Sequence, residues 1–207
     1  MKLRYSGGRA IPGLLFSTAL LSLGACARLA ERSDGQTVRQ PDSPTVIDSI
    51  LPVEEEVRRF RANVPDVPAH LTGGATSRDA LVRRWVKAVE TRDSTALRDM
   101  LMSAAEYITF FYPESPYTKP PYRQSPSVRW GLITNASVKG SSRVWERHAG
   151  QPMGFTGYRC DQEPTEMGKN RIWTNCAVEL KTGPIALFGP IIERDGQFKF
   201  VTYGSGY

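Results

Sequence analysis

Apolar positions in this chain show three successive textures, and each predicts a different kind of segment. Residues 11–23, IPGLLFSTALLSL, form one uncharged run. From about residue 76 to residue 150 apolar residues recur at helical spacing, and after Gly150 they alternate with period two. Thr76 with Asp79 is a helix-start signal. Val82, Trp85, Val86 and Val89 then follow at i, i+3, i+4 and i+7, one buried helical face, while Arg83, Arg84 and Lys87 take the solvated positions. Ala96, Leu97, Met100 and Leu101 predict a second short helix from near Asp93. Ser103 with Glu106 is a capping box opening a third, which carries Tyr107, Phe110 and Phe111 and stops before Pro113. A proline-rich loop with Pro116, Pro120 and Pro121 follows. Ser125 and Pro126 start a further helix with Val128, Leu132, Ile133 and Ala136 inward. Gly140 is expected to break it, leaving Val144, Trp145 and His148 on a last turn or two.

In the period-two region, residues 153–160 (MGFTGYRC) read as a strand. Residues 171–181 (RIWTNCAVELK) read as another, with Ile172, Thr174, Cys176, Val178 and Leu180 on one face. Gly183-Pro184 marks a turn, Gly189-Pro190 a bulge or edge position, and Asp195-Gly196 a hairpin turn. Helices followed by antiparallel strands imply an α+β domain, with helices packed on one face of a sheet of about four strands. N-terminal to it, residues 52–62 (PVEEEVRRFRA) predict a short helix. Three glutamates lie near its positive end, arginines follow, and Val57 and Phe60 form a stripe for docking. Pro65, Pro68 and Gly73-Gly74 read as a linker, and residues 27–51 as a polar spacer.

The N-terminus changes the picture from fold to address. Lys2, Arg4 and Arg9 precede the 13-residue apolar run with no acid among them. That order describes a secretory signal peptide, too short for a spanning helix of about 20 residues. Leu23-Gly24-Ala25-Cys26 then resembles the lipobox of bacterial lipoproteins. The resemblance implies cleavage before Cys26, lipid on its thiol, and a membrane partner reached through that lipid. In a cell with an outer membrane it implies the periplasmic face. An ordinary signal peptide cut nearby is the alternative. The expected organisation is therefore residues 1–25 as signal peptide, 26–75 as flexible tether with its short helix near 52–62, and 76–207 as the domain.

Outside the cytoplasm, the remaining pair Cys160 and Cys176 reads as a disulfide rather than two free thiols. Such a cross-strand pair centres a hairpin at residue 168, which is Gly, so turn chemistry and period agree. Loss of residues 1–25 lowers the formal charge from +6 to +3. That value, without clustering, gives no footprint for nucleic acid.

Two stretches resemble the nuclear-transport-factor-2-like superfamily. LVRRWVKAVETRDSTALRDML is similar to its opening helices, and IIERDGQFKFVTY to its closing hairpin; residues 112–150 have no counterpart. The resemblance implies a curved sheet wrapped around helices as a cone, whose mouth often holds a small molecule or peptide. Enzymes of that superfamily place an acid or His inside the cone, which makes Glu106 and His148 the candidates for an isomerase- or hydrolase-type site. The capping box already accounts for Glu106, and a helix end accounts for His148. Two histidines and no clustered ligands give no metal site, and no motif calls for a cofactor. The aromatic stretch YITFFYPESPYTKPPYRQ offers a ligand-facing rim of Tyr112, Tyr117, Tyr122 and Arg123. Its plainer reading is core filling by Phe110 and Phe111 under a cover of tyrosines. The expected function is a membrane-anchored, non-enzymatic binding or envelope-assembly module, engaging a small apolar ligand or an envelope protein.

Overall fold

Five α-helices precede seven short strands in the computed structural model, which describes residues 51–64 and 66–204. The chain divides into residues 1–47 and the compact unit Asp48–Tyr207. The apolar run, Cys26 and the spacer up to residue 50 lie outside the described residues.

Helix α1 (Val53–Arg61) carries Glu54, Glu55 and Glu56 in its first turn and Arg58, Arg59 and Arg61 in its last, as the dipole favours. Val53, Val57 and Phe60 pack against the body, with Phe60 edge-on to Tyr107 at 5.7 Å. Helix α2 (Arg78–Glu90) buries the predicted stripe of Val82, Trp85, Val86 and Val89, together with Leu81 and Ala88. Its cap is Ser77, whose hydroxyl accepts from Ala80 N, one residue later than the Thr76 signal. Asp93 caps α3 (Ser94–Asp99) and Ser103 caps α4 (Ala104–Glu106) in a complete capping box. A π-helical turn, Tyr107–Phe111, and two 3₁₀ turns then carry the chain past Pro113 and Pro116.

Helix α5 (Pro126–His148), capped by Ser125, departs from expectation in two respects. It runs through Gly140 without a break. A Cβ there would lie 1.7 Å from the Tyr203 carbonyl, so glycine serves close approach of the C-terminal segment. Gly204 reciprocates, because its own Cβ would meet Ala136 O at 2.4 Å. Ser137 seals the contact, its hydroxyl donating to Thr202 Oγ1 and accepting from Tyr203 N. Ile133 is buried as predicted, but Val128 and Leu132 face solvent, 57% and 42% exposed. The inward arc combines the aliphatic Ile133 and Val144 with the small Ser137 and Gly140.

The strands form two antiparallel sheets rather than one of about four strands. One has the order β1 (Phe155–Arg159), β4 (Ala177–Leu180), β5 (Gly183–Ile185). The other has the order β2 (Thr165–Met167), β3 (Asn170–Trp173), β6 (Ile191–Arg194), β7 (Gln197–Phe200). The stretch 171–181 is thus two strands and not one. Asn175 takes a left-handed conformation, φ 50°, which Asn tolerates, and the chain changes sheet there. Asp161 holds the junction, accepting from Thr174 Oγ1 at 2.6 Å and from Asn175 Nδ2, and those bonds depress its carboxyl pKa.

The Cys160–Cys176 disulfide is present at this junction. It follows the pair Arg159↔Ala177, while Met167↔Asn170 leads into the turn at Gly168, φ 61°. The half-ribbon at the disulfide is centred on Gly168, as the cysteine spacing gave, and the inner one is offset by one register step, between Gly168 and Lys169. Closing the 15-residue loop stabilises by about 3 kcal/mol in the chain-entropy model.

Residues 71–75, read as linker, belong to the body. Leu71 is buried with Met102, Tyr107 and Val201. Ala75 exchanges backbone hydrogen bonds with Phe198, and Met100 and Met102 bond Phe200. The outer edge of β7 is covered by these two segments, which removes an exposed pairing edge.

Candidate functional site

The interior where a cone would open is packed. Trp85 is 1% exposed and meets Phe188 edge-on at 5.3 Å, with Phe200 and Tyr203 each at 6.4 Å. Tyr203 Oη donates to the Leu97 carbonyl, and burial raises its pKa. Aromatic rings in such edge and tilted arrangements fill the space between α2 and the closing hairpin.

Glu106 points into the body, 1% exposed, and its carboxylate is occupied. It accepts from Thr72 N and Ser103 N, both at 2.8 Å, and from Lys199 Nζ at 3.1 and 2.8 Å. Lys199 is equally buried, so this is an enclosed ion pair that ties α4 to β7 and to residues 71–75. A base needs a proton to receive and a route for substrate, and this geometry provides neither. His148 lies half-buried at the end of α5, its Nε2 buried without a hydrogen-bond partner among the described residues. It stands on a different element from Glu106, and neither residue lines the grooves described below. Among the described residues no group of three or more His, Cys, Asp or Glu is placed to hold a metal.

Of the four residues of the aromatic rim, Tyr112, Tyr117 and Arg123 are engaged within the body and Tyr122 is exposed. Tyr112 is fully buried and donates to the Gln124 carbonyl at 2.8 Å; burial above all, with Glu56 adding to it, pushes its pKa up to about 12. Tyr117 stacks under the Arg129 guanidinium at 3.9 Å. Tyr122 is 65% exposed. Arg123 donates to the Leu51 carbonyl and pairs with Glu56 at 3.6 Å, fastening α1 to the proline-rich loop. Phe110 and Phe111 are buried in the core. The rim is thus a cover on the core and a clasp for α1.

Concavity lies elsewhere, along α5. A groove of about 430 Å³ runs between α3 and the C-terminal half of α5. Leu97, Leu101, Trp145 and Tyr203 form its apolar walls, and Ser94, Arg98, Ser141, Ser142 and Glu146 its polar margin. A second groove of about 340 Å³ shares Leu101, Ser141 and Ser142 and extends to Trp130. A third of about 350 Å³ shares Trp130 and reaches Phe60 on α1. Apolar walls with polar groups along the margin suit a small-molecule site. Sequence reasoning missed this feature because Leu97 and Leu101 read as core. The available signal was the pair Trp130 and Trp145, large aromatics flanking the small residues of one helix.

Comparison with protein-family models, with curated proteins and with solved structures finds no match for this chain.

Proposed function

We propose that the protein is a lipid-anchored, extracytoplasmic binding module that holds a small apolar molecule in the groove between α3 and α5. In this reading residues 1–25 direct export, Cys26 carries the lipid, and the disulfide suits an oxidising compartment. The arrangement is read as a variant of the nuclear-transport-factor-2-like cone, with aromatic residues filling the interior and the ligand site displaced to the helix side. One observation carries the proposal: the body is closed around Trp85, while an apolar groove of about 430 Å³ remains open beside Trp145. Glu106 and His148 have no catalytic part in it.

Native mass spectrometry of protein purified from membranes tests both halves together. The expected result is a chain beginning at lipid-modified Cys26 that retains an apolar molecule. Ser141→Trp, which fills the groove, should abolish retention while leaving the lipid in place. An unmodified N-terminus elsewhere refutes the anchor. Ligand-free protein, or retention that survives Ser141→Trp, refutes the groove.

A further inference from the structure

The grooves along α5 follow one another rather than lying apart. Trp130, Thr134, Ser137, Ser141 and Trp145 line them at i, i+4, i+7, i+11 and i+15, a stripe along one side of the helix. The 430 Å³ and 340 Å³ grooves meet at Leu101, Ser141 and Ser142. From Trp130 to Trp145 the helix rises roughly 22 Å. One acyl chain spans half of the ~30 Å hydrocarbon core of a bilayer, about 15 Å. The run therefore takes one extended chain and leaves length for a head group.

Charge is confined to one end of the run. The 340 Å³ groove has no charged residue in its lining. The 430 Å³ groove has two, Arg98 in the last turn of α3 and Glu146 near the end of α5. Beyond Trp130, at the far end, Arg59 is taken up by Glu55 on its own helix at 2.7 Å. Arg98 and Glu146 differ from it. Both are exposed, both border the same apolar walls, and neither forms an ion pair among the described residues. Acids within reach of arginines on other helix surfaces are paired, as Asp79 is with Arg83 and Glu55 with Arg58. A cation at a helix C-terminus and a solvated glutamate each have an ordinary explanation. Together, on the margins of one groove whose continuation is uncharged, they complement a ligand with a doubly charged head and an apolar tail.

Resting on the reading of this groove as the binding site, we propose that its occupant is a single-chain zwitterionic phospholipid. Its phosphate meets Arg98, its primary ammonium meets Glu146, and its acyl chain runs towards Trp130. Each charge disfavours a simpler head. A fatty-acid carboxylate on Arg98 would face Glu146 unneutralised, and a long-chain amine on Glu146 would face Arg98 in the same way. The guanidinium fork matches phosphate oxygens. A carboxylate accepts from a primary ammonium, and a quaternary one has no N–H to donate. One chain rather than two follows from the grooves lying in series along one side of the helix.

The test uses the polypeptide from residue 26 onward carrying Cys26→Ser, so that no attached lipid competes, with N-phenyl-1-naphthylamine bound. Lysophosphatidylethanolamine, lysophosphatidylglycerol, palmitate and monopalmitoylglycerol, all with the same palmitoyl chain, then compete below their micellar concentrations. Lysophosphatidylethanolamine is expected to displace the fluorophore at a concentration about tenfold below monopalmitoylglycerol, as two exposed charge pairs allow. Arg98→Gln should weaken both phospholipids by about threefold to fivefold, near the top of the range for an exposed pair. Glu146→Gln should weaken the ethanolamine lipid by a similar factor and leave the glycerol one unweakened. Neither substitution should alter monopalmitoylglycerol binding or the unfolding midpoint, because both side chains are exposed. Ethanolamine-lipid binding that is unchanged in both variants, or no tighter than that of monopalmitoylglycerol, overturns the head-group assignment; if Ser141→Trp still blocks both lipids, the groove reading stands. If the fluorophore or every lipid fails to bind, or binding survives Ser141→Trp, the groove reading itself fails and the proposal with it.

Discussion

Glu106 closes a capping box that four residues of local sequence predict, and the same carboxylate meets Lys199, 93 positions away. Local spacing gave the first role in full. The second was invisible, because Lys199 sits in an alternating strand where a lysine reads as solvent-facing. Both partners are under 5% exposed at the side chain, so removal of either leaves a buried charge or an unfilled donor. Lys199→Met is expected to destabilise by about 3–5 kcal/mol, since it strands the carboxylate. Adding Glu106→Gln should recover a large part of that loss, because Gln keeps the capping geometry without the charge. Urea unfolding of the two single variants and the double variant gives the coupling. If Lys199→Met costs no more than an exposed lysine would, the pair is not enclosed as described.

Among the elements, helix existence was legible, and interruptions were not. Ile172, Cys176, Val178 and Leu180 are all buried, but the single face expected for them and Thr174 is not found: Ile172 packs in the cluster around Tyr107, whereas Cys176, Val178 and Leu180 join Trp173 in the cluster around Trp85, on two strands in two sheets. Period two in the sequence continues across Asn175, so the pattern alone cannot reveal the break. Gly140 failed in the opposite sense. Glycine in a helical pattern weakens the helix by about 1 kcal/mol relative to Ala, and sequence offers no way to know that a second backbone lies against it. The two explanations give opposite signs for Gly140→Ala. Helix propensity alone would stabilise the protein by about 1 kcal/mol. With Tyr203 O 1.7 Å from the new Cβ, the substitution should instead destabilise by about 1–3 kcal/mol or more as backbone is forced apart. Thermal unfolding decides the sign. Stabilisation by Ala would mean that the C-terminal segment does not press on α5.

At the scale of the molecule, binding capacity and stability are placed in different parts of the same body. The aromatic set around Trp85 holds α2, β7 and the C-terminal segment together, whereas the groove walls are drawn from α3 and the outer half of α5, with Tyr203 shared between the two. The cone expected from the resemblance put function in the interior, and the sequence held no sign that Trp85, Phe188, Phe200 and Tyr203 converge from elements more than a hundred residues apart to fill it. Trp85→Ala separates the possibilities. Loss of that ring should cost about 3–5 kcal/mol in stability. At a temperature where the variant remains folded, retention of an apolar fluorophore such as N-phenyl-1-naphthylamine should change little, because Trp85 does not line the groove. If the fluorophore instead binds Trp85→Ala much more tightly and Ser141→Trp leaves that binding intact, the competent space is the interior, and the outer groove is an incidental fold of the surface.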